Sequence, residues 1–236
     1  MINIRKAADR GHGDRGWLKS HFTFSFADYH DPAHMGFSAL RVINDDRIAA
    51  GKGFGPHAHR DMEILTYVLE GKLLHRDSMG QQHVLGPNEI QMMSAGSGVV
   101  HSEFNASETE PVHLFQIWIL PAEEDLQPAY QQIGFGPEEK RGKLRLLAAP
   151  EMDRDRPMTV IRQNARVYVT ELGSGETVRH AMDPKRHAWV QIVKGDISLN
   201  GEPLTEGDGV AITEESELSL TGRAPTGGEL LLFDLP

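Results

Sequence analysis

Two short pairs, His57-Ala58-His59 and His101-Ser102-Glu103, constrain this chain more than any other feature. The end members of each pair stand two residues apart. On a β-strand, residues i and i+2 point to the same side. On a helix they would lie about 200° apart, a poor arrangement for gripping one ion. Both pairs sit in glycine-bearing, strand-like sequence. Two such strands side by side would bring three imidazoles and one carboxylate to a point. That set suits a mid-row divalent metal with positions left open for substrate or O₂.

The bulk numbers agree with a strand-rich chain. Of 236 residues, 24 are Gly and 13 are Pro, which favours turns and strands over a helical bundle. The length allows one large or two small domains. A net charge of −10 argues against nucleic acid as a partner. Cysteine is absent, so disulfides, thiol catalysis and thiolate metal sites are all excluded. The opening residues show no secretory h-region, and no apolar run approaches the roughly 18 residues of a membrane span. A cytoplasmic protein with no membrane partner is the expectation.

Strand signals dominate the first half. Residues 37–43 alternate and end in Asn44-Asp45-Asp46, a turn cluster. Residues 64–69, 72–77, 82–85 and 90–93 read as strands, and 112–120 as a buried central strand ended by Pro121. Such short spacing points to a sandwich or barrel. Residues 121–157 carry acidic and glycine-rich stretches and read as a connector, with a helical turn near 123–130. Strands resume at 166–171.

The second half then repeats the first. Tyr67-Val68-Leu69-Glu70-Gly71 matches Gln191-Ile192-Val193-Lys194-Gly195, and the block from Leu85 matches the block from Leu204. Order and spacing are kept, so a tandem pair of similar β-barrels is expected. The chemistry is not repeated. The same alignment puts Ala181 and Asp183 opposite His57 and His59, and Leu220 and Gly222 opposite His101 and Glu103. One metal, in the N-terminal domain, is the consequence. The expected division is 1–121 for the metal-binding domain, 122–157 for the connector and 158–236 for a degenerate domain without metal.

The residues now carry a resemblance. Gly51, His57, His59, Glu63 and Gly71 are spaced like the first cupin motif, and Gly98, His101 and Asn105 like the end of the second. With Glu103, the opening Gly16-Trp17-Leu18, the run His21-Phe22-Thr23-Phe24-Ser25-Phe26, and Met35-Gly36-Phe37 leading into Asn44-Asp45-Asp46, the chain resembles the pirin family of bicupins. It is similar, more narrowly, to bacterial pirin-like proteins described as quercetin 2,3-dioxygenases. The resemblance is strong from about residue 5 to 120 and weaker beyond. It implies an all-β fold of two tandem cupin-type β-sandwich barrels. It implies one metal, held by His57, His59, His101 and Glu103 in the N-terminal barrel alone. It also implies ring opening of flavonols by O₂ with loss of carbon monoxide. Glu63 sits one position short of the usual first-motif glutamate, so strand alternation should turn it from the metal. Glu103 takes its place.

Other residues have blander readings. His12, His21, His30, His34, His75, His83, His113, His180 and His187 read as surface or hydrogen-bonded histidines. Phe22, Phe24 and Phe26 read first as core, although a flat aromatic substrate needs such walls. Phe54 and Gln116 are pocket-wall candidates. Glu63 fits a supporting carboxylate.

Three neutral imidazoles and one carboxylate leave a divalent ion with a net +1 site, which favours an anionic oxygen donor. Glu103 would be the general base. Iron(II) is the first choice of metal; Mn, Ni, Co, Cu or Zn would fit the same donors. The expected partners are a flavonol-like small molecule and O₂, and the expected state is a monomer. The alternative function is a metal-gated regulatory module that binds a protein partner.

Overall fold

The computed structural model describes residues 1–153 and 157–236. In chain order its strands are β1 (Ile2–Arg5), β2 (Gly11–Asp14), β3 (Leu18–Phe22), β4 (Leu40–Ile48), β5 (Gly53–His59), β6 (Glu63–Glu70) and β7 (Leu73–Asp77). Next come β8 (Gln82–Leu85), β9 (Glu89–Ser94), β10 (Val99–Asn105), β11 (Val112–Ile119), β12 (Ala129–Gly134), β13 (Arg145–Ala149) and β14 (Thr159–Val160). The last are β15 (Arg166–Leu172), β16 (Thr177–Ala181), β17 (His187–Leu199), β18 (Glu202–Thr205), β19 (Gly209–Thr213), β20 (Glu217–Gly222) and β21 (Gly228–Leu235). Among the described residues no helix is long and apolar enough to cross a membrane. The fold is all-β, with two cupin-type barrels.

The barrels are interleaved along the chain. One compact unit combines Gly11–Phe135 with Pro150–Gln163, and the other combines Met1–Arg10, Gly136–Ala149 and Asn164–Pro236. The first strand goes with the last ones because β1 zips along β19, with Ile2 opposite Ile212 and Arg5 opposite Gly209. The segment expected as connector supplies β12 to one unit and β13 to the other. Residues 154–156 of that segment lie outside the described residues.

The N-terminal barrel has a seven-stranded sheet in the order β12-β9-β6-β11-β4-β3-β2 and a four-stranded sheet in the order β5-β10-β7-β8. Strand β11 is central, flanked by β6 and β4, as its nearly continuous apolar run requires. Leu18, Ile48, Val68, Leu73, Leu85, Val112 and Leu114 pack as one apolar cluster, and Ile64, Met93, Ala95 and Val99 as another.

Two local expectations are corrected. No helical turn forms at 123–130; its end enters β12, which pairs with β9 from Ala129↔Ser94 to Gly134↔Glu89. Ala129 to Ile133 is half-buried throughout, so an edge strand accommodates its polar side chains on either face. Asn44-Asp45-Asp46 is not a turn but the buried middle of β4. Tertiary partners overrule the local preference here. Asp45 Oδ1 lies 2.6 Å from His113 Nε2 on the neighbouring β11, and Asn44 and Asp46 face the interior cavity.

The C-terminal barrel is built around β17, which is 13 residues long. Its first part pairs with β19 and β21, and its last residues pair with β18 and β20. Fourteen buried residues, among them Val190, Ile192, Val210, Leu218, Leu220 and Leu232, form its core.

Candidate metal centre

Strands β5 and β10 run antiparallel, with His57 opposite His101 and His59 opposite Val99. The register then breaks: Glu103 lies opposite Phe54, leaving Gly55 and Pro56 on β5 against the single residue Ser102 on β10. This bulge fits the sequence, because Pro56 has no ladder hydrogen to lose. It lets Phe54, His57 and His59 all line the same cavity although 54 and 57 differ by an odd number of residues.

The three imidazoles meet. Ring centroids lie 4.4 Å apart for His57–His101, 4.8 Å for His59–His101 and 4.8 Å for His57–His59. One ligand nitrogen from each lies within 4.8 Å of the other two. His57 Nδ1 donates to Gly55 O at 2.8 Å, so its Nε2 presents a lone pair. That Nε2 is 2.9 Å from His101 Nε2. A shared proton or a cation must sit between two such nitrogens. His59 Nε2, buried with no protein partner, supplies a third donor and favours the cation. Burial, reinforced by neighbouring His57, holds His59 down to about 4. Burial and the surrounding histidines hold His101 down to about 2. Both rings are therefore neutral at pH 7, the form that ligates metal. The donors present fit a divalent ion.

Glu103 joins from the next inward position of β10. Its carboxylate groups with His101 and His75, each offering an atom within 4.8 Å of the others. Gln116 Nε2 donates to its two oxygens at 3.2 and 3.4 Å. Trp118 Nε1–H donates to Gln116 Oε1 at 3.1 Å, which fixes the amide so that its NH₂ faces the carboxylate. Burial, together with the charge of nearby Asp46, outweighs these hydrogen bonds and raises Glu103 to about 7.

The cluster opens on a cavity of about 280 Å³. Phe22, Phe26, Phe54 and Trp118 wall it, and His57, His59, Glu103 and Gln116 form its polar side. Phe26 meets Trp118 edge-on at 5.2 Å, and Trp118 meets His59 edge-on at 4.9 Å. The pocket-wall reading of Phe54 and Gln116 thus matches the geometry. The alternating phenylalanines divide: Phe24 is core, while Phe22 and Phe26 line the cavity. Glu63 is buried away from the cluster, accepting from Ser94 Oγ at 3.0 Å and from the Arg162 backbone N–H at 3.0 Å.

Sequence reasoning missed three contributors. Trp118 and Asp46 lie in a strand and a supposed turn where nothing marks them as pocket residues. His75, read as a surface or hydrogen-bonded histidine, is hydrogen-bonded to Asp77 but fully buried beside His101, with ring centroids 5.3 Å apart. Its signal was available: His75-Arg76-Asp77 has the same two-residue spacing as the ligand pairs.

Comparison with known proteins now adds a family. The pirin family profile matches residues 3–119, and that of the quercetinase C-terminal cupin domain matches 146–235. The chain belongs to the pirin family. Quercetin 2,3-dioxygenase of Escherichia coli K12 is 49% identical over 236 residues, covering 100% of this chain and 99% of that protein. The crystal structure of E. coli YhhW superposes with a TM-score of 0.94 at 47% identity, covering 100% of this chain and 98% of that one. A second E. coli structure, bacterial pirin YhhW in complex with nickel(II), gives 0.93 at 47% identity, covering 100% and 99%. This pirin therefore shares its whole architecture with a structurally characterised relative.

Proposed function

We propose that this pirin is a metal-dependent dioxygenase that opens the ring of flavonols such as quercetin with O₂. One observation carries the reading: three imidazoles lie close together, and two of them, His57 and His59, line an aromatic-walled cavity that also holds a buried carboxylate. The name of the E. coli relative and the nickel(II) in the YhhW crystal support it.

In this reading His57, His59, His101 and Glu103 hold one divalent transition metal in the N-terminal barrel. Iron(II) is the working choice, because histidine-rich carboxylate sites with open positions suit oxygen chemistry. When bound, the ion supplies Lewis acidity that stabilises the oxyanion of a substrate hydroxyl. Everything else falls to the chain. Phe22, Phe26, Phe54 and Trp118 grip a flat ring system and displace water. Glu103, whose carboxylate lines the cavity, takes the hydroxyl proton. Gln116, locked by Trp118, keeps that carboxylate aimed at the cavity. A wall residue and the base are thus linked through one amide.

The test is oxygen uptake. Anaerobically purified, iron-loaded protein should consume O₂ with quercetin, and His101→Ala should reduce the rate to background. Unchanged turnover in that variant would exclude this site as the catalyst.

A further inference from the structure

His75 and Asp77 lie on β7, beside β10, with Asp77 opposite His101 and His75 opposite Glu103. Their side chains are completely buried, with Asp77 Oδ2 3.0 Å from His75 Nε2. The other carboxylate oxygen accepts from the backbone N–H groups of Met79 at 2.8 Å and Gln81 at 3.1 Å, so Asp77 is clamped. A carboxylate accepts; His75 Nε2 therefore carries the hydrogen. With the Nε2 hydrogen committed to Asp77, Nδ1 of the neutral ring is the lone pair. That Nδ1 is buried with no hydrogen-bond partner.

His101 presents the complementary deficit. Its Nε2 faces His57. A neutral ring that offers Nε2 to a cation carries its hydrogen on Nδ1, and His101 Nδ1 is also buried without a partner. An orphaned donor and an orphaned acceptor are each costly to bury. The two rings are neighbours, with centroids 5.3 Å apart and planes inclined at 60°, so the unmet donor and the unmet acceptor belong to adjacent side chains.

We propose that Asp77 and His75 form a positioning relay for His101: Asp77 sets the tautomer of His75, and His75 accepts the Nδ1 hydrogen of His101, leaving His101 Nε2 as the donor to the metal. The relay rests on the reading of His101 as a ligand, and it extends inward a chain of carboxylate, imidazole, imidazole and ion.

Asp77→Asn tests it with little change of shape. The asparagine oxygen still accepts from Met79 and Gln81, but its NH₂ now donates to His75 Nε2 and drives the His75 hydrogen onto Nδ1. Two N–H groups would then oppose each other. The affinity of purified protein for Ni²⁺, read by competition with a chromophoric chelator, should fall about 10- to 100-fold in Asp77→Asn and in His75→Leu. His75→Gln, whose amide oxygen can accept, should recover part of the loss. His83→Ala, which removes a ring stacked on Tyr130 and its bond to the Gln81 side chain but no atom of the relay, should bind as wild type. Nitrogen NMR of histidine-labelled, metal-free protein gives a second readout: His101 protonated at Nδ1 in wild type and shifted toward Nε2 protonation in Asp77→Asn. Wild-type affinity in a folded Asp77→Asn protein, or a His75 protonated at Nδ1 in wild type, would overturn the relay. If His101→Ala binds Ni²⁺ as tightly as wild type, the metal reading fails instead. The tautomer shift then decides the relay without it.

Discussion

The two barrels share a pairing scheme and differ in what one row of side chains contains. In the N-terminal barrel the row runs Asn44–Gln116–Thr66–Gln91 across β4, β11, β6 and β9. In the C-terminal barrel the equivalent row runs Tyr168–Leu232–Val190–Val210 across β15, β21, β17 and β19. Likewise β5 pairs with β10 as β16 pairs with β20, but Leu220 stands in the C-terminal copy where the alignment expects His101. Backbone geometry is thus indifferent to whether the interior is a site or a core. The C-terminal barrel buries apolar area at roughly 25 cal/mol per Å². The N-terminal barrel gives up that gain along one row and keeps a carboxylate in its interior. The cost is tolerable because amides and hydroxyls satisfy one another there: Gln91 donates to Thr66 Oγ1 at 3.4 Å, and Gln116 donates to Glu103.

This contrast can be broken by exchanging residues between the barrels. The largest effect is expected from His101→Leu, which copies Leu220. Bound metal, measured by elemental analysis after loading and desalting, should drop from about one per chain to background, while the circular dichroism stays that of a β-protein. Retained stoichiometry would mean that the C-terminal barrel, or another group, binds the ion.

A smaller effect separates a buried acid from a buried hydrocarbon. Glu103 ordinarily titrates at 4.5 and is raised to about 7 in the fold. Its protonated form therefore favours folding. That stability is fully present below pH 4.5 and lost as pH rises through 7. In metal-free protein Glu103→Gln should remove this loss, a gain of about 3 kcal/mol over wild type at pH 8 and nearly none at pH 4. Urea denaturation at both pH values measures it. Asp46, also raised to about 7, leaves a residual decline in the variant.

The smallest effect is the reverse exchange. Leu232→Gln places in the C-terminal core the amide that Gln116 supplies in the N-terminal one. With apolar Val190 beside it, the amide should cost about 2 kcal/mol. A neutral outcome in denaturant melts would show that this row has unseen polar partners.

Much of this was legible in the residues. The i, i+2 spacing of His57/His59 and His101/Glu103 specifies both strands and a shared face, because strand periodicity is strict. The repeat specifies two barrels, because Gly71 and Gly195 share a positive φ at matching positions, where β6 ends and β17 passes from one set of partners to the next. Long-range pairing was not legible. Nothing local in Ile2–Arg5 announces a partner more than 200 residues away, and nothing in Asn44-Asp45-Asp46 announces His113 or a cavity. The pocket walls came through only in part: Phe54 was readable from its place on a ligand strand and Gln116 as a polar break in an apolar run, whereas Trp118 depends on how β11 is flanked.

The bulge at Gly55 and Pro56 sets two residues of β5 against one of β10. Removing either would restore a one-to-one ladder, with Phe54 still opposite Glu103 and both imidazoles of β5 still turned inward. A residue gained between His57 and His59 would instead send the two rings to opposite faces, with every ligand still in the gene.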